Sequence, residues 1–358
     1  MSVLKSPPKF ARRQTGASLV SLMVGLVISM MVGLTAMGSL QAFSVIQRQS
    51  VGVGSTLGTG VSTLGVLKYE LAQAGRGLYV DGAPICSSFN LSADDALIAD
   101  GDELRPVNLS WDAQNRLTVD IRYASALEAA TPVATSGALT SGTVELGGLL
   151  PVAAGQAVLL APAVGSAGVC TVRTVTGVTA STATTGQKLT FASTGTHNKA
   201  TFSTPQAYAE GTRVFLLGTF EHVRFQQVGT TLVMSRPEAD QSATLAENVR
   251  AFSLQVGGTD GVTEALSEWH AAGPKDDWRD LTVARTAQTR ALRIGVVMQA
   301  PQKEKPDAEG NCTATPAADS PTLFGNTVAL ADDGACFKYR TFFNVIPLRN
   351  ITSTQAAS

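Results

Sequence analysis

Four cysteines, three histidines and a few acidic clusters are the side chains of this chain best suited to chemistry. Cys86, Cys170, Cys312 and Cys336 include no C-x-x-C pair, so their spacing argues against a zinc site. His197, His222 and His270 lie far apart, and His222 falls in a strand-like stretch where it reads as an ordinary strand residue. Asp94, Asp95, Asp100, Asp102 and Glu103 offer the oxygens that calcium prefers, but not at EF-hand spacing, and read as a solvated loop. Asp332-Asp333-Gly334 reads as a turn beside Cys336. Lys275-Asp276-Asp277-Trp278 reads as a surface loop, with Trp269 and Trp278 capping the core. The chain has no H-E-x-x-H, no G-x-S-x-G and no G-x-x-x-x-G-K-[ST]. No catalytic residue, metal or cofactor is therefore assigned, and the chain does not read as an enzyme.

The remaining chemistry is chemistry done to the chain. Lys5, Lys9, Arg12 and Arg13 precede Gly16, and from Ala17 onward no charged residue appears until Arg48. That run is long enough to cross a bilayer, which takes roughly 20 apolar residues. The basic residues put its N-terminal side in the cytoplasm. A secretory signal has its small-residue cleavage site after the apolar core; here the candidate site, Gly16-Ala17, comes before it. The order of parts resembles the class III leader of type IV prepilins. The resemblance implies cleavage between Gly16 and Ala17 by a prepilin peptidase, and N-methylation of Ala17. The sequence departs from that family at Ala17, where phenylalanine or methionine is usual, and at Ser21, where most pilins carry glutamate. In those pilins the carboxylate is thought to pair with a neighbouring subunit's amino group, because an unpaired one is costly in apolar surroundings. Serine fits either a subunit at a filament tip, with none ahead of it, or simple loss of the charge.

The same topology exports everything after the span, where an even cysteine count reads as two disulfides. Four cysteines allow three pairings. The shortest loop favours Cys312 with Cys336, leaving Cys86 with Cys170, and a bridge of that loop size stabilises by roughly 3 kcal/mol. The net charge is -1, only 15% of residues are charged, and no basic stripe follows the leader, which argues against a nucleic-acid partner.

The elements that must carry these residues begin with one helix from Ala17 to about Ala74, about 85 Å long at 1.5 Å per residue. Ala17, Ser21, Gly25, Ser29 and Gly33 recur every fourth residue and form a ridge that another helix can approach closely. Ile46, Val53, Leu57, Leu64, Leu67 and Leu71 form an apolar stripe for packing on a head. Gly52, Gly54, Gly58, Gly60 and Gly65 interrupt it, each costing up to about 1 kcal/mol against alanine. Strands are expected at Leu104–Leu109, Arg116–Tyr123 (after a turn at Asp112–Asn115) and Val169–Val178. A meander is expected over Arg213–Phe220, Glu221–Gln227 and Thr230–Ser235, and further strands at Asn248–Val256, Thr289–Met298 and Lys338–Val345. One long helix followed by strands predicts an α+β head with the helix on an antiparallel sheet. The expected segments are a leader over 1–16, a transmembrane half-helix over 17–43 and its exported continuation over 44–80. A variable β-rich region or inserted lobe follows over 81–204, then a sheet core over 205–350 and a tail over 351–358.

Ala246-Glu247-Asn248-Val249-Arg250-Ala251-Phe252, Arg290-Ala291-Leu292-Arg293-Ile294 and the ending from Tyr339 to Pro347-Leu348-Arg349-Asn350 resemble strands and the C-terminus of PilW-type minor pilins. The ending is the most specific of the three, and the resemblance covers residues 10–80 and roughly 205–350. It implies a type IV pilin-like fold and a structural subunit that helps prime pilus assembly at or near the tip. The implied partners are other minor pilins, the major pilin, the prepilin peptidase, an inner-membrane assembly platform and a large tip adhesin. The implied location is the inner membrane, with the head in the periplasm before assembly, and then the cell-surface pilus. A minor pseudopilin of type II secretion and a membrane-anchored adhesin are the alternatives.

Overall fold

The computed structural model describes residues 19–80, 82–125, 131–166, 168–198, 201–259, 265–304, 306, 309–330 and 333–352, without the side chains of 41, 42, 44–46, 48 and 49. Gly16, Ala17, Asp332 and residues 353–358 lie outside it, as does the side chain of Ile46. The chain divides into two units, residues 1–54 and residues 55–358. Helix α1 runs Leu19–Leu71.

The second unit is built on three sheets. The main strands are β1 (Ser88–Ala93), β2 (Ala96–Glu103), β3 (Val107–Trp111), β4 (Leu117–Ala124), β5 (Ala157–Ala161), β6 (Cys170–Thr174) and β7 (Arg213–Gly218). They continue with β8 (Phe220–Val228), β9 (Thr231–Arg236), β10 (Gln241–Ala246), β11 (Val249–Gly258), β12 (Glu268–Ala271), β13 (Thr289–Gln299) and β14 (Tyr339–Pro347). One sheet has the order β2-β1-β6-β5-β7 with Val133–Ala134 at its edge; a second is β10-β9-β8-β4-β3; the third is β12-β11-β13-β14. Pairing is antiparallel throughout these three sheets except between β1 and β6. The architecture is α+β.

Several expectations are corrected. The meander breaks at Gly218, whose φ of +70° sends β7 into one sheet and β8 into another. Val169–Val178 is two strands in different sheets, β6 and Gly177–Thr179. Strand β3 starts at Val107, after Pro106, which has no N–H to give to a ladder. The acidic run is a hairpin: Asp94 turns the chain at φ +49°, and Asp100, Asp102 and Glu103 lie in β2. Asp100 holds the chain at 203–204, accepting from the backbone N–H of Ser203 at 2.9 Å and of Thr204 at 3.1 Å.

Residues 81–204 do not stand apart as a lobe. They supply β1, β2, β5 and β6 to the sheet that β7 joins, and β3 and β4 to the sheet that β8 joins. This weave also buries β5 on both faces. Phe215 and Leu217 of β7 face the main core with Leu159 of β5. Val214 and Leu216 face the opposite way, with Val158 and Leu160, into a second core closed by Leu146, Leu189 and Phe191. A strand buried on both faces has no position for a charged side chain. Cys86 is bonded to Cys170 beside the β1–β6 pair, and Cys312 to Cys336 within the excursion between β13 and β14.

Within the second unit, the buried face of α1 keeps the C-terminal part of the expected leucine stripe but not its start. Leu57 is exposed and Leu64 half-buried, whereas Thr56, Gly60, Thr63, Leu67, Glu70 and Leu71 are buried. The sheets come too close for large side chains at the first of these positions. A Cβ on Gly60 would lie 2.5 Å from the Phe342 ring of β14. Thr63 Oγ1 donates to the Leu245 carbonyl of β10 at 3.4 Å. Only toward the end of the helix does the gap admit Leu67 and Leu71.

The helix end is fastened from two directions. The Asn350 side-chain amide donates to the Ala72 carbonyl at 2.9 Å and the Ala74 carbonyl at 3.4 Å, in the turns that directly follow α1. Gly75, at φ +76°, turns the chain, lies against Ile351 and donates its N–H to the Arg122 carbonyl of β4 at 2.9 Å. Glycines on the two helix faces should therefore respond oppositely to alanine. Gly60→Ala must displace Phe342 and is expected to destabilise the head by about 1–3 kcal/mol. Gly65→Ala enters open space and should stabilise by about 0.5–1 kcal/mol. Denaturant unfolding of the two variants checks the difference in sign.

Candidate functional site

Two features of the chain are set up for work beyond folding. The first is the start of α1. Leu19–Leu40 has a mean hydropathy of 2.3, and every side chain in it is exposed within the chain. No core of this molecule covers it, so it fits a membrane or other apolar helices. The hydroxyls of Ser29, Thr35 and Ser39 are satisfied locally. Ser29 Oγ donates to the Leu26 carbonyl at 2.9 Å, Thr35 Oγ1 to the Val32 carbonyl at 2.9 Å, and Ser39 Oγ to the Thr35 carbonyl at 3.0 Å. Hydroxyls bonded in this way are tolerated in lipid. Ser21, Gly25, Ser29 and Gly33 are exposed together, and nothing lies within 4 Å of a Cβ built on Gly25 or Gly33. A second apolar stretch, Ser50–Leu71, has a lower hydropathy of 1.2 and is one-third buried. Its part from Ser55 onward is a core helix of the head.

The second feature is a charged cluster that the sequence conceals. His222 of β8 is not a plain strand residue. It is buried, with Nε2 2.9 Å from Asp120 Oδ1 of β4 and Nδ1 2.7 Å from Glu238 Oε1. Ionised carboxylates only accept, so both ring nitrogens donate and the ring is an imidazolium. Burial opposes that charge, but the two hydrogen bonds outweigh it and hold the His222 pKa above its ordinary value. Burial likewise works against the Asp120 carboxylate, and the bonds from His222 and Arg224 prevail and lower its pKa. Arg224 Nε reaches Asp120 at 2.7 Å. A neighbouring group ties α1 to the same sheet. Tyr123 donates to Glu70 at 2.7 Å, and Arg236 bridges Glu70 at 3.4 Å and Glu221 at 3.1 Å. The signal in the sequence is the strand period: Asp120 and His222 are cross-strand neighbours in a pairing that aligns His222 with Arg122.

Of the other singled-out residues, His197 shares a cavity with His222, and the rest stay separate. His197 is buried with Nδ1 2.6 Å from the Ser92 carbonyl, and His270 stacks on Trp278 at 4.2 Å. Trp278 is partly buried against the main core, and the Arg293 guanidinium covers Trp269 at 4.8 Å. Asp333 pairs with Lys303 at 3.0 Å. Among the described residues no three metal-ligating side chains converge.

No protein-family model matches the chain, and no curated protein matches it in sequence. Among solved structures, a type IV-like pilin from Thermus thermophilus overlaps 86% of this chain and 97% of its own. The identity is 10% and the TM-score 0.33. The helix-and-sheet architecture stands on the pairings and contacts described above.

The cluster gives stability a pH signature. A raised histidine pKa contributes fully below the unfolded value near 6.5, and that contribution is lost as pH rises through the folded value. A lowered aspartate pKa contributes above about 3.9 and is lost as pH falls through the folded value. The cluster's contribution, read as the wild-type urea unfolding midpoint minus that of a His222→Gln variant, should thus be largest between about pH 4 and 6.5 and decline on the alkaline side, whereas buried His197, whose pKa is lowered, acts in the opposite sense below about 6.5. His222→Gln should lower stability by about 3–5 kcal/mol at pH 6, since it breaks a buried pair, and should flatten the alkaline decline. A midpoint difference between wild type and His222→Gln that does not shrink between pH 6 and 9 refutes this account.

Proposed function

We propose that the chain is a type IV pilin-type subunit, specifically a minor pilin of the PilW type, and that its work is structural. The observation that carries this reading is the double character of α1. The helix is apolar and exposed over Leu19–Leu40, and from Thr56 to Leu71 it is part of the folded core of the head. A subunit so built hands its apolar helix to a membrane before assembly and to neighbouring helices afterwards. The C-terminal Pro347-Leu348-Arg349-Asn350 supports the PilW reading, and in this chain its residues serve the fold directly, since Leu348 is buried and Asn350 closes the end of α1.

On this proposal the leader is cut between Gly16 and Ala17, and Ala17 is N-methylated. The apolar helix holds the protein in the inner membrane with its head in the periplasm until assembly. Ala17, Ser21, Gly25, Ser29 and Gly33 then form the surface against which other minor pilins or the major pilin pack. Assembly uses the inner-membrane platform, and the subunit helps prime the pilus and sits at or near its tip, in contact with a large adhesin. Ser21 accords with a tip position, since a subunit with none ahead of it needs no carboxylate there. The PilW-like ending favours this reading over a type II secretion pseudopilin, which would share the anchor.

Intact mass of the protein, taken both from membranes and from sheared filaments of its host, tests the proposal. It is expected to begin at methylated Ala17 in both fractions, with the filament fraction a small minority of total pilin. A retained leader in piliated cells, or absence from filaments, would overturn it.

A further inference from the structure

We propose that the head carries a binding site for a neutral, hydroxyl-rich ligand, of the saccharide class, in the cavity between the sheet of β7 and the sheet of β8. The cavity holds about 540 Å³, within the range of small-molecule sites, and opens where Gly218-Thr219-Phe220 passes from one sheet to the other. Its walls include His197, Glu221, His222, Arg236, Glu238 and Gln241.

The polarity of these walls selects the ligand. The charged groups are already matched within the protein: Asp120, Glu238, Glu221 and Glu70 are balanced by His222, Arg224, Arg236 and the mostly buried Arg122 behind the wall. An anionic or cationic ligand would have to break one of these pairs or leave its own charge uncompensated in a partly buried site. Two largely buried side chains of the wall keep open hydrogen-bond acceptors. His197 is 7% exposed, and its Nδ1 must donate to the Ser92 carbonyl, so Nε2 carries a lone pair. Nε2 has no hydrogen-bond partner among the described residues. Burial lowers the His197 pKa and keeps the ring neutral. Glu238 uses Oε1 for His222, and Oε2 is without a partner among the described residues. Hydroxyl donors satisfy such acceptors without bringing charge. A polyol can also accept from the Gln241 amide and the threonine hydroxyls of the wall.

Saturation-transfer NMR on the full chain in detergent tests the proposal with glucose, galactose and N-acetylglucosamine as probes. Glucose 6-phosphate and glucosamine serve as the anionic and cationic counterparts. Saturable binding of at least one neutral sugar is expected, with both charged sugars at least fivefold weaker. His197→Phe, which removes the open acceptor, should weaken binding at least tenfold. Gln241→Trp changes an exposed side chain at the rim and should do the same by closing the mouth, with the unfolding midpoint unchanged; it keeps the test decisive if His197→Phe does not fold. No saturable binding of any neutral sugar, preference for a charged one, or unaltered binding in Gln241→Trp would overturn the proposal.

Discussion

The approach of α1 to the sheets at Gly60 is the contact on which the rest of the head depends. The Phe342 ring occupies the space where a Cβ would be, so β14 can lie against the helix only because residue 60 has no side chain. From that point the helix descends through Thr63 to Leu67 and Leu71, and the gap widens to admit leucines. The end of the helix is then closed by Asn350 and Ile351, which follow β14 directly in the chain. One strand and its extension thus set both the distance of the helix from the sheets and where it stops. A glycine-rich helix, poor by intrinsic propensity, is held by tertiary packing.

Charge is placed to support the same junction. Glu70 is buried on the helix and is met by Tyr123 from β4 and Arg236 from β9. Arg236 continues to Glu221 on β8, the neighbour of His222, which in turn joins β4 to the segment after β9 through Asp120 and Glu238. Removing His222 leaves the mostly buried Glu238 carboxylate without its cation, which costs far more than the pair contributes. The network makes this sheet specific for its helix. It also lines the cavity beside β7 with charges that are already paired, leaving hydrogen-bond acceptors on His197 and Glu238 open.

The general plan of the fold is legible in the chain, because it rests on local signals. The uncharged run after Arg13, the alternating residues of β8, β11 and β13, and the Asp112 turn before β4 all act over a few residues. In that turn Asp112 Oδ1 accepts from the N–H of Gln114 and of Arg116, both at 2.9 Å. What is not legible depends on partners distant in sequence. Hydrophobicity alone puts Leu57 on the buried stripe of α1, whereas the close contact requires Gly60 and Thr63. The middle region reads as detachable because its charge-poor strands have no visible partner until β7 and β8, far along the chain, pair with them. His222 reads as ordinary because Asp120 and Glu238 reach it only through strand pairing and a turn.

If the end of α1 is a core element of the head, its amides must open only when the head opens. Hydrogen exchange on the full chain in detergent measures this directly. The amides of residues 63–71 are expected to exchange as slowly as those of 292–297 in β13, and all of them should speed up together in Gly60→Ala. Exchange of 63–71 at rates orders of magnitude above those of β13, under conditions where β13 stays protected, would contradict the account. It would show a helix that merely rests on a head folded without it.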